Sequence, residues 1–230
     1  MRSEDPTQRP DPGTGDAAQR EVEITLLFCD VVRSTELTRR LGDRAAYRVI
    51  RSFHDVVLRA CAPAGGEELE LRGDGVLLAF EKPKPALACA IEIQQRLVEA
   101  PRSRRINVRI GIHSGPALSV ASGYFGANVI LSARIAAAAA PGQILVSAAH
   151  LQRLENLELP IDAGRWLTLK GIPEPSLVFS MPWRAKRGGV VEPPCPSLAH
   201  EAFLVTLERA RESDPDATEP SCMLGRRSAV

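Results

Sequence analysis

The sequence predicts an α+β fold, with one mixed, largely antiparallel sheet and helices packed on it. Three observations predict it. Short apolar runs alternate with longer helical stretches across residues 21–183. Arg72-Gly73-Asp74-Gly75 sits between two apolar runs and is a hairpin signal. A chain of 230 residues has room for one core flanked by tails.

Each element has its own reason. Val22–Cys29 is a continuous apolar run and reads as a buried strand. Ser34–Leu41 reads as a short helix with Ser34 as its N-cap, and Asp43–Ala62 as a longer helix with an Asp cap. Glu67–Leu71 and Val76–Phe80 are the arms of the first hairpin. Pro83–Ala100 is helical, with proline at its start. Ile106–His113 and Ala117–Ala121 read as a second hairpin. Phe125–Ala139 is an alanine-rich helix that Pro141-Gly142 ends. Gln143–Val146 is a strand followed by a short helix, and strands near Gly164–Leu169 and Ser176–Met181 close the core. This order fits a ferredoxin-like, palm-like sandwich with helices on one face of the sheet.

The ends differ from the middle. Residues 1–20 and 184–230 make up under a third of the chain but hold eight of its 18 prolines. They read as a disordered N-terminal tail and a mostly flexible C-terminal tail around a domain at 21–183. Within the latter, 198–211 is a candidate short helix carrying Phe203, Leu204, Leu207 and Ala210.

Composition excludes several classes. The formal net charge is +1, so no basic excess argues for nucleic acid. Aromatic residues are 4% of the chain, too few for a base-stacking platform. No apolar run approaches the roughly 20 residues of a membrane-spanning helix, and the N-terminus has no apolar signal core. The five cysteines form no CxxC pair, which argues against a disulfide framework or a zinc cluster. The expectation is a cytoplasmic protein with free thiols.

Three charged residues stand out. Asp30 ends a run that looks buried, where an unpaired carboxylate is costly unless a cation or a turn hydrogen bond offsets it. Asp74 lies at the hairpin tip, where Asp-Gly is also an ordinary turn pair. If the first strand lies beside this hairpin, the two carboxylates meet at one end of the sheet. Such a pair suits Mg²⁺ or Mn²⁺, which also coordinate phosphate oxygens. Arg134 interrupts a helix almost free of charge, and its planar fork suits a phosphate as well as a surface ion pair.

The motifs occur together in a recognisable order. Leu27-Phe28-Cys29-Asp30-Val31-Val32-Arg33-Ser34-Thr35 resembles the first metal motif of class III nucleotidyl cyclases, the adenylate/guanylate cyclase catalytic domains. Arg72-Gly73-Asp74-Gly75 resembles the second. Arg109-Ile110-Gly111-Ile112-His113-Ser114-Gly115 is similar to the family's central strand. Phe125-Gly126 and Ser132-Ala133-Arg134 are similar to its dimerisation and catalytic helix. Pro141-Gly142-Gln143-Ile144-Leu145-Val146-Ser147 and Leu169-Lys170-Gly171 complete the order, and the resemblance covers about 22–181.

The resemblance implies a dimer with its sites at the subunit interface, either a homodimer or a heterodimer with another cyclase domain. One protomer would supply Asp30, Asp74 and the backbone of Val31 to two Mg²⁺ or Mn²⁺ ions. The other would supply Arg134 to the transferring phosphoryl. The reaction would be attack of the ribose 3′-hydroxyl of GTP or ATP on the α-phosphate, with release of pyrophosphate. Lys170 falls in a region resembling a phosphate-contacting lysine.

Three positions depart from the family's commonest pattern. The base-reading lysine is Glu70, which can only accept hydrogen bonds; guanine offers N1–H and N2–H donors, so Glu70 favours GTP. The partner base-reading position is Gly123, which has no side chain. The catalytic Asn is Ile130, which cannot orient the ribose; Asn128 could replace it only in a shifted helix register. The alternative is therefore a low-activity module that binds nucleotide or completes a heterodimer. A diguanylate cyclase would carry a Gly-Gly-Asp/Glu-Glu-Phe hairpin, which is absent.

Overall fold

The computed structural model describes residues 19–101, 106–154 and 161–184. The expectations for the two tails, including the helix at 198–211, lie outside the described residues. In chain order the elements are β1 (Arg20–Val31), α1 (Ser34–Leu41), α2 (Asp43–Cys61), β2 (Glu67–Arg72), β3 (Gly75–Phe80), α3 (Pro83–Glu99), β4 (Val108–Val120), β5 (Gly123–Phe125), α4 (Ala127–Ala138), β6 (Ile144–Ser147), α5 (Ala148–Leu151), β7 (Arg165–Leu167) and β8 (Ser176–Ser180).

One sheet runs β2-β3-β1-β4-β6-β8-β7, with β5 folded back on β4. Its first four strands are mutually antiparallel. With α1 and α2 between β1 and β2, and α3 between β3 and β4, they form the ferredoxin-like unit the sequence predicts. β6 is parallel to β4, which makes the sheet mixed.

Strand alternation sorts the side chains between two faces. Leu27, Cys29 and Val31 of β1 join Val76, Leu78 and Phe80 of β3 and Ile110 and Ile112 of β4 on one face. There they pack against Phe53 and Val57 of α2 and Ile93 and Leu97 of α3. Each large side chain buried this way contributes about 1.5–3 kcal/mol. The opposite face holds Ile24 and Leu26 of β1 with Leu77 and Ala79 of β3. It also holds Ile135 of α4 against Leu145 and Val178.

Helices therefore cover both faces, and the one-face expectation is corrected by α4. It is apolar nearly all round, and the strip that faces inward is Ser132, Ile135 and Ala136, all buried. Gly111 lets this strip approach the sheet, because a Cβ there would stand 2.2 Å from the Ala136 backbone nitrogen.

The boundaries differ in three informative places. Ser34 is the first helical residue of α1, and Arg33 is the cap, left-handed at φ 57° and ψ 40°. Asp43 likewise lies inside α2, with Gly42 as its cap. The second predicted hairpin is one continuous strand: β4 pairs with β1 from Val108 through Ser119, so nothing turns at Gly115-Pro116. The turn comes instead at Ala121-Ser122, and Phe125 belongs to β5 rather than to α4.

Candidate active site

β1 ends at a corner of the sheet. Asp30 is in register with Gly75 of β3 on one side and with Arg109 of β4 on the other. The Val31 N–H donates to the Asp74 carbonyl at 3.0 Å, which seats the β2–β3 turn against the end of β1. The structure thus brings Asp30, Val31 and Asp74 together, and both carboxylate residues are half-buried.

Arg109 completes the corner. Its Nε and Nη2 both donate to Asp30 Oδ2, at 2.9 and 2.5 Å, and its Nη1 donates to the Ala137 carbonyl at 3.0 Å. These are charge-assisted bonds in a partly buried setting, stronger than neutral ones. Among the described residues, the hydrogen bonds to the Asp30 carboxylate all fall on Oδ2 and none on Oδ1.

The chain then turns sharply into α1. The left-handed Arg33 conformation costs about 1–2 kcal/mol for a residue with a Cβ. Such strain collects where a functional geometry demands it. No side chain caps α1. Its first N–H groups carry partial positive charge and begin four residues after Asp30.

This donor set suits a hard cation that arrives with phosphate. Among the described residues no three His, Cys, Asp or Glu side chains cluster as an all-protein metal cage. Two carboxylates and nearby main-chain carbonyls are instead the oxygen donors that Mg²⁺ or Mn²⁺ takes when water and substrate phosphates supply the rest. The open Oδ1 of Asp30 leaves room for such an ion.

The remaining predicted residues lie elsewhere. Arg134 is exposed on α4 and makes no hydrogen bond or ion pair among the described residues. Ile130, one turn earlier on the same outer strip, is 51% exposed. Asn128 cannot take its place, because it faces the sheet: its Nδ2 donates to the Pro116 carbonyl, and its Oδ1 accepts from His113 Nε2 at 2.7 Å. Glu70 lies on β2 opposite Leu77 and is half-buried. Gly123 starts β5 opposite Val120, at the far end of β4 from Arg109. Lys170 is exposed in the turn from β7 to β8, beyond the Leu167–Ser176 pair. One chain does not gather Gly123 with Asp30 and Asp74.

Two features escaped the sequence reading as site elements. Arg109 appeared only as part of a strand motif. The available signal was its charge inside an apolar run, on the strand face it shares with Gly111. The second is a buried polar relay. Asn128 holds the Nε2–H of His113, so His113 Nδ1 accepts from Ser147 Oγ at 2.8 Å. Burial pushes the His113 pKa below its usual value, which keeps the ring neutral. Ser114 bridges His150 Nδ1, at 2.8 Å, and Thr25 Oγ1, at 2.7 Å. The relay ties the first turn of α4 to β4 and so sets which face of α4 points outward.

Comparison with known proteins bears on this corner. The family model for the adenylate and guanylate cyclase catalytic domain matches residues 17–180. An uncharacterised protein of Mycobacterium tuberculosis is 33% identical over 156 residues, which is 67% of this chain and 40% of that protein. The chain thus spans well under two thirds of the length of that relative. The structure of an adenylate/guanylate cyclase/hydrolase from Silicibacter pomeroyi is similar at 29% identity and a TM-score of 0.61, covering 71% of this chain and 98% of that one. The adenylyl cyclase CyaB from P. aeruginosa shares the fold, with a TM-score of 0.66 at 18% identity over 74% of this chain and 97% of that one. The family match covers well over half of the chain, and the chain belongs to the adenylate and guanylate cyclase catalytic domain family.

Proposed function

We propose that this member of the family is a nucleotidyl cyclase that acts as a dimer, converting GTP in preference to ATP to a 3′,5′-cyclic nucleotide and pyrophosphate. The observation that carries the reading is the Asp30–Asp74 corner with its uncapped helix start. Asp30, Asp74 and the Val31 carbonyl would hold two Mg²⁺ or Mn²⁺ ions, which would supply charge neutralisation and favour the 3′-alkoxide. The N–H groups of the first turn of α1, which no described side chain caps, would face the triphosphate. The 3′-oxygen forms a bond to the α-phosphorus, the bond to the β-phosphate oxygen breaks, and the hydroxyl proton leaves to water.

The second protomer supplies what one chain keeps apart. Gly123 lies at the opposite end of β4 from the residues that face Asp30. A two-fold pairing of antiparallel protomers sets one end against the other and generates two equivalent sites. Arg134 then reaches across to stabilise charge on the transferring phosphoryl. Glu70 accepts from guanine N1–H and N2–H, Gly123 offers only backbone to the base, and Lys170 contacts phosphate. Three buried free thiols, Cys29, Cys61 and Cys89, suit a reducing cytoplasm.

Ile130 favours a second reading. An exposed isoleucine where a ribose-orienting amide belongs makes a homodimer slow, and a partner cyclase domain with an Asn there would complete the Asp30–Asp74 site. The test is turnover by purified full-length chain with ATP, GTP, CTP or UTP in Mg²⁺ and in Mn²⁺, read as cyclic product by mass spectrometry. Cyclic GMP that disappears in Asp30→Ala supports the enzyme. Product that persists unchanged in Asp30→Ala refutes the metal corner, and no product from any nucleotide moves the reading to the heterodimer subunit.

A further inference from the structure

Asp30 faces a guanidinium before any cation arrives. The Asp30 and Arg109 side chains are directly opposed across β1 and β4 and keep 24% and 32% of their surface exposed. Two of the three guanidinium nitrogens grip one carboxylate oxygen, and the third holds the last turn of α4 through the Ala137 carbonyl. The carboxylate at the end of a buried strand is therefore neutralised by the fold itself, which removes the need for a metal in folding.

We propose that Arg109 serves Asp30 as an internal counter-ion, so that a divalent cation enters this corner by exchange with the guanidinium and favours arrival with a triphosphate over arrival alone. The inference rests on the metal role of Asp30 proposed above. An ion on Oδ1 would stand roughly 5 Å from the guanidinium, given ordinary metal–oxygen distances. Even at the dielectric constant of water, that repulsion weakens binding about tenfold. The triphosphate's own negative charge offsets the repulsion. Arg109 can yield because it is a third exposed and keeps its Ala137 anchor. That anchor also places the exchange at the end of the helix that presents Arg134.

The experiment is Mn²⁺ binding to the full chain, followed by the loss of the free-ion electron paramagnetic resonance signal without nucleotide. R109M should bind Mn²⁺ about tenfold more tightly than the unsubstituted chain, and adding D30N should abolish the gain. R109K keeps the charge and should stay within about threefold. Circular dichroism checks folding; R109M should also gain more thermal stability from Mn²⁺ than the unsubstituted chain does. Equal or weaker binding by R109M would overturn the proposal and leave Arg109 a mere orienting group. Tightening as large in R109K would overturn it too, since the charge is retained there, and this holds even if R109M fails to fold. Failure of the underlying metal reading looks different: D30N would then leave the binding of Mn²⁺ together with GTP unchanged.

Discussion

Gly111→Ala tests whether the seat of α4 on the sheet governs the site. A Cβ built on Gly111 meets the Ala136 backbone nitrogen at 2.2 Å, its Cα at 2.6 Å and its Cβ at 2.8 Å. Ordinary carbon contacts begin near 3.5 Å, so the helix must retreat by more than about 1 Å. Two of the three atoms are main chain, and no rotamer change relieves them. Overpacking of a core costs about 1–3 kcal/mol, and a backbone collision belongs at the upper end. About 3 kcal/mol in a chain of this size lowers Tm by roughly 6–12 °C. The same retreat carries Arg134 and Ile130 outward, and a displacement near 1 Å costs up to about a hundredfold in rate. Thermal unfolding by circular dichroism and cyclic-product turnover, run on the same preparation, check both halves. A Tm within about 2 °C of the unsubstituted chain, with unchanged turnover, would refute the packing argument and its link to Arg134.

Ile130→Asn should raise homodimer turnover by about tenfold to a hundredfold, because the new amide sits on the outer strip with Arg134; no gain in an intact fold would show that this position does not face the ribose. Glu70→Lys should shift the ratio of kcat/KM for GTP over ATP towards ATP by about tenfold or more, since a donor then meets adenine N1. An unchanged ratio would remove Glu70 from base reading. Burial, then the neighbouring His113 and Arg153, lower the pKa of His150 from 6.5 to about 3. The folded chain stays neutral there while the unfolded chain takes up a proton. Stability is therefore complete above pH 6.5 and falls towards pH 3, by up to about 1.4 kcal/mol per pH unit from this group. Urea midpoints at pH 7 and pH 5 should show the fall, and His150→Gln should reduce it, leaving the share contributed by buried His113.

The fold was legible where pattern alone decides. The apolar run of β1 and the Gly73-Asp74 turn each announce their state locally, so the first strand and hairpin are read within a few residues. The junction of Asp30 with Asp74 was legible too, because a strand end and a hairpin tip can meet only if β1 lies beside β3. Pairing partners were harder. Gly115-Pro116 reads as a turn in isolation, yet β1 extends back to Arg20 and gives β4 a partner along its length. Gly115 serves there as space: a Cβ would stand 2.9 Å from Asn128 Nδ2. The side of α4 that faces inward was invisible because small and apolar residues occur all round the helix. Its phase is set by Gly111, Gly115 and the His113–Asn128 bond, which are long-range contacts. Arg109 was missed for the same reason, since its role depends on strand register and on the end of a helix 28 residues away.

The polarity of the sheet bears on why the proposed site would need two chains. β1 delivers Asp30 at one end, and β4 delivers Gly123 at the other after 12 paired positions. At about 3.3 Å per strand residue, those ends stand roughly 35–40 Å apart, too far for one nucleotide to bridge. On the reading proposed above, neither end would be a complete site. Moving the groups together within one chain would require reversing a strand whose whole length is paired. A second copy turned end for end solves the same problem with no change to the sheet. In a mixed dimer each end is also free to vary separately, so Ile130 can weaken one composite site while Asp30 and Asp74 still serve the other.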